Sequence, residues 1–408
     1  MAQIEAEFDL VIAGGGAIGS TLALALAKLG QYRIGVIESS ESQLPPSNAF
    51  DTRVIALAHQ SYQFLTTLLA DEYPLLGTDI KHIHVSDRGH LGQCQLHHDE
   101  YRVPALGKVV EINHLGERLY QQVANHSAIQ WFRPAHISKL DYHSDTVDIT
   151  LDGQSQVIST RLLVITEGGN SSTRQLAGFE WQTKAYGQSA LIANVALDSP
   201  HQHWAYERFT ENGPLALLPM DACGPHAGYY SLVWTIHPEQ QEDYLAMPRP
   251  ALLRRLQQEF GYRAGLFKDI SQPVCYPLTL SSSDTLTRHR TVILGNAAQT
   301  LHPIAGQGMN LGLRDVQTLV AQLSAPLNHH DPGSYRCLDT YARQRCDDRR
   351  KTMNLTDGLV GVFSNSQQPL VFGRNAGLMS MALMPELRAK LAMQAMGAQQ
   401  QENIDGIL

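Results

Sequence analysis

Residues 8–13 form a continuous apolar run in which only Asp9 is charged, the length and pattern of a strand buried on both faces. GGGAIG follows at 14–19, and from 17 to 29 the apolar positions take a helical spacing that stops at Gly30. A second apolar run at 33–38 predicts another strand. Further on, 146–151 and 156–165 are strand candidates flanking a turn at Asp152-Gly153. With 190–197, 214–219 and 229–235 they supply a mostly antiparallel sheet. A short buried strand returns at 291–294, followed by a second glycine-rich loop and a helix over 309–323. From about 334 onward the pattern is helical, apart from a loop around 365–369 and a polar tail at 399–403.

Strand, glycine loop, helix and strand in that order are the setting in which GxGxxG carries information. Gly14 permits the tight turn, Gly16 leaves room for a pyrophosphate, and Gly19 lets helix and strand pack closely. The helix N-terminus offers unpaired N–H groups and its positive dipole end to the phosphates. Glu38 ends the second strand 19 residues beyond Gly19, where a carboxylate holds a ribose hydroxyl and repels a 2′-phosphate. These residues predict a nucleotide site and leave NAD and FAD as equal candidates.

Composition narrows the setting. At about 150 residues per domain, 408 residues predict two or three domains. Hydrophobic and charged fractions of 43% and 17% set aside disordered and fibrous chains. With 31 basic and 39 acidic residues the charge is −8, which argues against nucleic acid as a partner. The cysteines, at 94, 223, 275, 337 and 346, are odd in number and form no CxxC, as expected of unpaired thiols in a reducing compartment. Residues 1–8 lack a basic segment before an apolar one. The most apolar windows, 17–29 and 370–384, are too short or interrupted to cross about 30 Å of hydrocarbon. The expectation is a cytoplasmic protein that at most lies on a membrane.

The stretch 295–315, GNAAQTLHPIAGQGMN followed by Leu311-Gly312-Leu313-Arg314-Asp315, resembles the second glycine loop of FAD-dependent aromatic hydroxylases of the para-hydroxybenzoate hydroxylase class. In that class the loop stands far downstream of GxGxxG, as here, about 280 residues later. The resemblance implies FAD, with Gly295, Asn296, Pro303, Gly306, Gly308, Met309 and Asn310 as cofactor contacts. Gly306 and Gly308 would let backbone approach a flat ring. The helix starting near Met309 would point N–H groups at the negative charge of the reduced flavin. Asn296 stands where most of the class has Asp, so its contact to the pyrophosphate and ribitol region would be neutral.

Segments 84–90, 207–210 with 213–219, and 295–308 bring the resemblance closer, to the ubiquinone-biosynthesis hydroxylases. Asp51-Thr52-Arg53 resembles the segment whose arginine contacts FAD, which makes Arg53 a cofactor residue. The implied reaction is hydroxylation of a polyprenylated methoxyphenol through a flavin C4a-hydroperoxide. It uses O2, and electrons from NAD(P)H or a separate reductase. Peripheral contact with a membrane, and a homo-oligomer or a complex with other ubiquinone-synthesis enzymes, are the partners it implies. Hydroxylation of a neighbouring ring position and a non-hydroxylating flavoprotein component are the alternatives. The backbone carbonyl of Pro303 would lie near the transferred oxygen, and His302 would assist phenol deprotonation or be an ordinary loop histidine. Two departures stand out. The class's Asp-Gly is replaced by Glu167-Gly168, and its polar flavin contact could fall on Glu111, Asn113 or His114.

No GxSxG elbow, acid pair or metal cage is present, as suits chemistry performed by a cofactor. His97-His98 and His201-Gln202-His203 are expected as solvent-facing positions and not as metal ligands. The mixed-charge segment 341–351 is expected as a solvated helix face with i,i+4 pairs. The Met-rich stretch 363–384, interrupted by Arg374, is expected as core or subunit interface in preference to a membrane surface. The fold class is thus α/β mixed with α+β. A Rossmann-like FAD-binding domain is built from 1–75, 105–180 and 275–330. A substrate-side, mostly antiparallel sheet domain is inserted as 76–104 and 181–274, and a C-terminal helical region spans 331–408.

Overall fold

The computed structural model describes residues 7–41, 53–69, 75–153, 156–221, 224–363 and 368–397. Asp51, Thr52, Cys223, most of the expected 365–369 loop and the 399–403 tail lie outside them. Five parallel strands form the centre of the first sheet, in the order Thr291–Ile293, Val157–Ile165, Phe8–Ala13, Ile34–Ile37 and Ile129–Phe132. Leu10, Val11, Ile12 and Ala13 are buried on both faces, which explains the unbroken apolar run. Helices Ala17–Lys28 and Gln307–Ser324 pack on this sheet, so the two glycine loops emerge side by side although one is near residue 14 and the other near 295. Strand Val157–Ile165 changes partner midway. Its first half pairs antiparallel with Val147–Leu151 and its second half parallel with Phe8–Ala13.

Among the described residues the second sheet has nine strands and is antiparallel throughout except where Trp204–Thr210 runs parallel to His82–Asp87. Alternation along Gln182–Leu197 sorts its two faces. Leu191, Ala193, Val195 and Leu197 pack under helix Arg249–Phe260, while Ile192 and Asn194 face a cavity shared with the glycine loops. A small third sheet, Val54–Ala58, Gly107–Glu111 and Thr78–Ile80, fills the space between the other two and packs against Ala205 and Leu218. The α/β core, the inserted sheet and the helical C-terminal part match the expected fold class.

One expectation at the C-terminal end needs correction. Helix Tyr335–Phe363 does not present 341–351 as a solvated face: Tyr341, Arg345, Asp348, Arg349 and Thr352 recur at helical spacing and are buried. Only its opposite side carries exposed pairs, Arg343 with Asp339 and Arg350 with Asp347. Within the stretch 363–384, Phe363 and Leu378 join a core cluster, and Arg374 does not face solvent. It is buried and paired with buried Asp87 at 2.9 Å, and Asn375 donates to the same carboxylate at 2.7 Å. Helix Gln368–Leu383 is thereby tied to the strand of the 84–90 motif, with Leu378 in the core and Phe372 and Leu383 exposed. Among the described residues no helix is long and apolar enough to cross a membrane.

Candidate active site

Each glycine of the first loop answers a different steric demand. Gly14 has φ +104°, a left-handed conformation, and a Cβ there would stand 2.7 Å from the Glu167 nitrogen. A Cβ on Gly19 would lie 1.9 Å from the Gly14 carbonyl oxygen. A Cβ on Gly16 would meet nothing within 4 Å, because the space before it is part of the cavity. Gly15 also matters, although GxGxxG leaves that position open: a Cβ there would be 2.5 Å from the Trp131 ring. The third consecutive glycine was the available signal. Gly16 caps helix Ala17–Lys28 without a side-chain hydrogen bond, so the first-turn N–H groups face the cavity region without a side-chain cap.

The second loop repeats the arrangement. Gly306, at φ +60°, caps helix Gln307–Ser324 without a side-chain bond, and Gly308 again has open space where a Cβ would be. Gly295, at φ +58°, closes against Ile18 of the first helix. The cavity between the loops and the second sheet has a volume of about 950 Å³. Of the expected site residues, Gly16, Arg53, Gly295, Asn296, His302, Pro303, Gly306, Gly308 and Met309 border it. Gly14, Gly19, Glu38 and Asn310 do not. Asn310 accepts from the Ala58 N–H at 2.8 Å and donates to the Ala56 and Gly306 carbonyls at 3.0 and 2.8 Å, clamping strand Val54–Ala58 onto the loop.

Glu38 accepts from the Gly15 N–H at 2.7 Å and the Ser40 N–H at 2.9 Å, which places its carboxylate beside the first loop. Replacing it with Ala is expected to weaken FAD binding by about 10- to 100-fold, the worth of one charge-assisted hydrogen bond. Fluorescence titration of apoprotein with FAD checks this, and unchanged affinity would remove Glu38 from the nucleotide site. Glu167 accepts from the Ser171 and Thr173 hydroxyls at 2.5 and 2.7 Å, so its carboxylate serves the start of helix Ser172–Leu176. Of the segment holding Glu111, Asn113 and His114, it is Ile112 that borders the cavity, while His114 accepts from the Leu76 N–H at 3.3 Å.

His302 is fully buried at the cavity edge, edge-on to Tyr186 with ring centroids 5.3 Å apart. Its Nδ1 accepts from the Ile304 N–H at 3.2 Å, which puts the ring proton on Nε2, and Nε2 has no partner. Burial lowers its pKa to about 4, so the ring is neutral at pH 7. The Pro303 carbonyl accepts from the Gly306 N–H at 3.0 Å and keeps one lone pair free of that bond.

Behind the second loop lies a charge network that motif reading missed. Asp315 accepts from the Gly295 N–H at 3.1 Å, from the Gln299 amide at 3.1 Å and from Arg345 at 2.7 Å. Asp348 receives Arg314 at 2.8 Å and Arg345 at 2.5 Å, and Arg349 donates to the Ser283 and Ala298 carbonyls. The helical spacing of 341, 345, 348, 349 and 352 was the signal for a buried face. His97, His98, His201 and His203 are half-buried, not solvent-facing. His82 and His97 lie 3.0 Å apart at Nδ1, and His203 Nδ1 lies 3.1 Å from the Asp79 carbonyl. Among the described residues no group of His, Cys, Asp and Glu is placed to hold a metal ion.

The residues fit FAD: two helix N-termini without side-chain caps, glycines that either cannot carry a Cβ or face open space, and an orphaned buried nitrogen at the far edge. Such a fold and site define an FAD-dependent monooxygenase, an assignment borne out when the chain is compared with known proteins. The family model "FAD binding domain" matches residues 7–356. The chain is 33% identical over 395 residues to "Ubiquinone hydroxylase UbiL" of Rhodospirillum rubrum, covering 95% of this chain and 89% of that one. It is 29% identical to "3-demethoxyubiquinol 3-hydroxylase" of Escherichia coli, covering 91% and 94%. Its fold resembles p-nitrophenol 4-monooxygenase of Pseudomonas putida, with TM-score 0.77 and 17% identity over 98% of this chain and 100% of that one. The chain belongs to the FAD-dependent aromatic-ring hydroxylase family of ubiquinone biosynthesis.

Proposed function

We propose that the chain hydroxylates a polyprenylated methoxyphenol of the 2-octaprenyl-6-methoxyphenol type, with O2 as co-substrate and NAD(P)H or a separate reductase as electron donor. The observation that carries this reading is a cavity with two unlike walls. Gly16, Gly295, Asn296, Gly306 and Gly308 form the side that would hold FAD. Ile192, Leu218, Val233 and Val274, relieved by Asn194 and Ser231, form the other. Such an apolar wall with few polar groups suits a ring bearing one or two oxygens and a hydrocarbon tail. Val274 and Tyr276 line the cavity yet are 43% and 44% exposed, an apolar exit for the tail. In this reading the sheet residues 181–274 and 76–104 are the substrate side, and a cytoplasmic enzyme meets its lipid substrate at a membrane surface.

Bound FAD, once reduced, supplies the activation of O2. The protein's part is to orient the ring against the flavin side, keep water out and manage a proton. His302, neutral with its proton on Nε2, donates to the substrate's phenolic oxygen and steadies charge developing there. His302→Ala is expected to lower turnover by about 10- to 100-fold and to divert reducing equivalents to peroxide. It should leave the pH profile between 6 and 8 unchanged, since the ring titrates near 4. Unchanged coupling would end that role.

The deciding experiment incubates the flavin-loaded protein with reductant and a prenylated methoxyphenol. Substrate-dependent O2 uptake and a product 16 Da heavier, an oxygen atom gained, are expected. Peroxide alone would favour a non-hydroxylating flavoprotein. The resemblance to the 3-hydroxylase of Escherichia coli favours a neighbouring ring position as the second reading, and the product's substitution pattern separates the two.

A further inference from the structure

We infer that Glu207 is the group that accepts the phenolic proton of the substrate. This rests on the proposed hydroxylation and names the base within its site. Strand register places the residue. Val274 pairs with Ile192, Ile192 with Val233, Val233 with Ala216, Ala216 with Glu207, and Glu207 with Val85. One row of side chains therefore crosses six strands on one face of the sheet. Val274, Ile192 and Val233 at one end of this row line the cavity.

The row differs from its surroundings in accessibility. Every member from Ile192 through Val233, Ala216 and Glu207 to Val85 retains partial exposure, whereas the intervening Leu191, Leu215, Leu217, Leu232 and Trp234 on the opposite face are fully buried. Ala216 is the small residue between Glu207 and the cavity wall. At about 4.8 Å between strands, a glutamate side chain can span the gap that an alanine leaves. Leu218, two residues from Ala216 on the same face, lines the cavity as well.

Glu207 Oε1 is buried without a hydrogen-bond partner. An unsatisfied buried carboxylate oxygen is costly and calls for a partner supplied from elsewhere. Burial alone pushes the Glu207 pKa up to about 7. No charged group contributes to that shift. On the same face its strand neighbours are Ala205 and Phe209, and across the sheet Ala216 and Val85. The charged and titratable side chains that line the cavity include Arg53, Tyr276 and His302, and Tyr186 of strand Gln182–Leu197 stands edge-on to His302, its hydroxyl raised by burial and by Asp357. Phe209, two residues from Glu207, shares an apolar cluster with Ile304, two residues from His302, and with Val85 and Tyr186. Both groups with orphaned buried atoms thus stand two residues from members of one cluster, His302 on the cavity lining and Glu207 two strands beyond Val233 in the row, with pKa values displaced in opposite directions, the pattern by which acid and base roles are separated.

In the step assigned to Glu207, the phenol O–H bond breaks, its electron pair stays on oxygen, and the proton passes to the Glu207 carboxylate. No oxidant is consumed. The resulting phenolate is the more electron-rich ring, and His302 Nε2–H is the donor that stabilises its oxygen.

The test uses the FAD-loaded protein and 2-methoxy-6-geranylphenol as probe. With wild-type protein, binding is expected to produce a phenolate difference band whose amplitude rises through pH 7, and turnover should rise over the same range. Glu207→Gln should bind FAD and the probe, lose the band, lower turnover by about 100-fold and lose the limb near pH 7. A ring-fluorinated probe of lower phenol pKa should suffer less from the substitution, which a merely structural role would not produce. Glu207→Asp, with shorter reach, should give an intermediate value and serves if the Gln variant fails to fold. Wild-type turnover without a phenolate band, or a Gln variant retaining the pH 7 limb, would overturn the assignment while leaving the hydroxylation intact. A wild-type protein that neither binds nor hydroxylates any prenylated phenol would overturn the hydroxylation itself, and the role of Glu207 with it.

Discussion

Asp315→Ala is expected to cost about 3–5 kcal/mol of stability and to release FAD, because one substitution leaves three buried donors without their acceptor. Asp315 is 1% exposed and receives the Gly295 N–H, the Gln299 amide and Arg345. Burial works against the Arg345 charge, but Asp315 and Asp348 outweigh it and hold the guanidinium proton more firmly than usual. Removing Asp315 leaves that cation with Asp348 alone, which also receives Arg314. Gly295 and Gln299 begin and shape the second loop, so its geometry should relax and flavin occupancy should fall. Arg343→Ala, on the solvated side of the helix Tyr335–Phe363 that carries Arg345, is the control, expected to change stability by less than about 0.5 kcal/mol. Thermal unfolding and flavin-to-protein absorbance ratios read both effects. Equal unfolding temperatures for the two variants would refute the network's importance.

Gly19→Ala is expected to be comparably severe for a steric reason. Its Cβ would lie 1.9 Å from the Gly14 carbonyl oxygen and 2.6 Å from the Thr166 hydroxyl. Thr166 donates to that same Gly14 carbonyl at 2.8 Å, so loop, helix and strand are joined at this point and relief requires backbone movement. Loss of several kcal/mol and more than 100-fold in FAD affinity follow from overpacking of this kind. Gly16→Ala separates the two functions of the motif. With nothing within 4 Å of its Cβ, that variant should fold and unfold like wild type. It should still lose FAD affinity, because the methyl group enters the space intended for pyrophosphate. If Gly19→Ala matched Gly16→Ala in unfolding temperature, close packing of helix on strand would not be the reason for that glycine.

The local elements and the two loops are legible along the chain. The runs at 8–13 and 291–294, the helices after each loop, and the conformational needs of Gly14, Gly295 and Gly306 are set within a few residues of the chain, so periodicity and glycine spacing expose them. The same reading misjudged 341–351, where the charge content suggested water and the helical spacing of 341, 345, 348, 349 and 352 indicated burial. Composition describes a residue, but its partner decides where it can lie: Arg345 and Arg374 are buried because Asp315 and Asp87 are there to meet them. Those pairs join residues 30 and 287 positions apart. Such pairs are fixed by tertiary packing, as is the row of cross-strand neighbours that runs from the cavity wall at Val274, Ile192 and Val233 through Ala216 to Glu207. Strand pairing is a long-range choice made by the whole sheet, and no local pattern records which residue will stand opposite another.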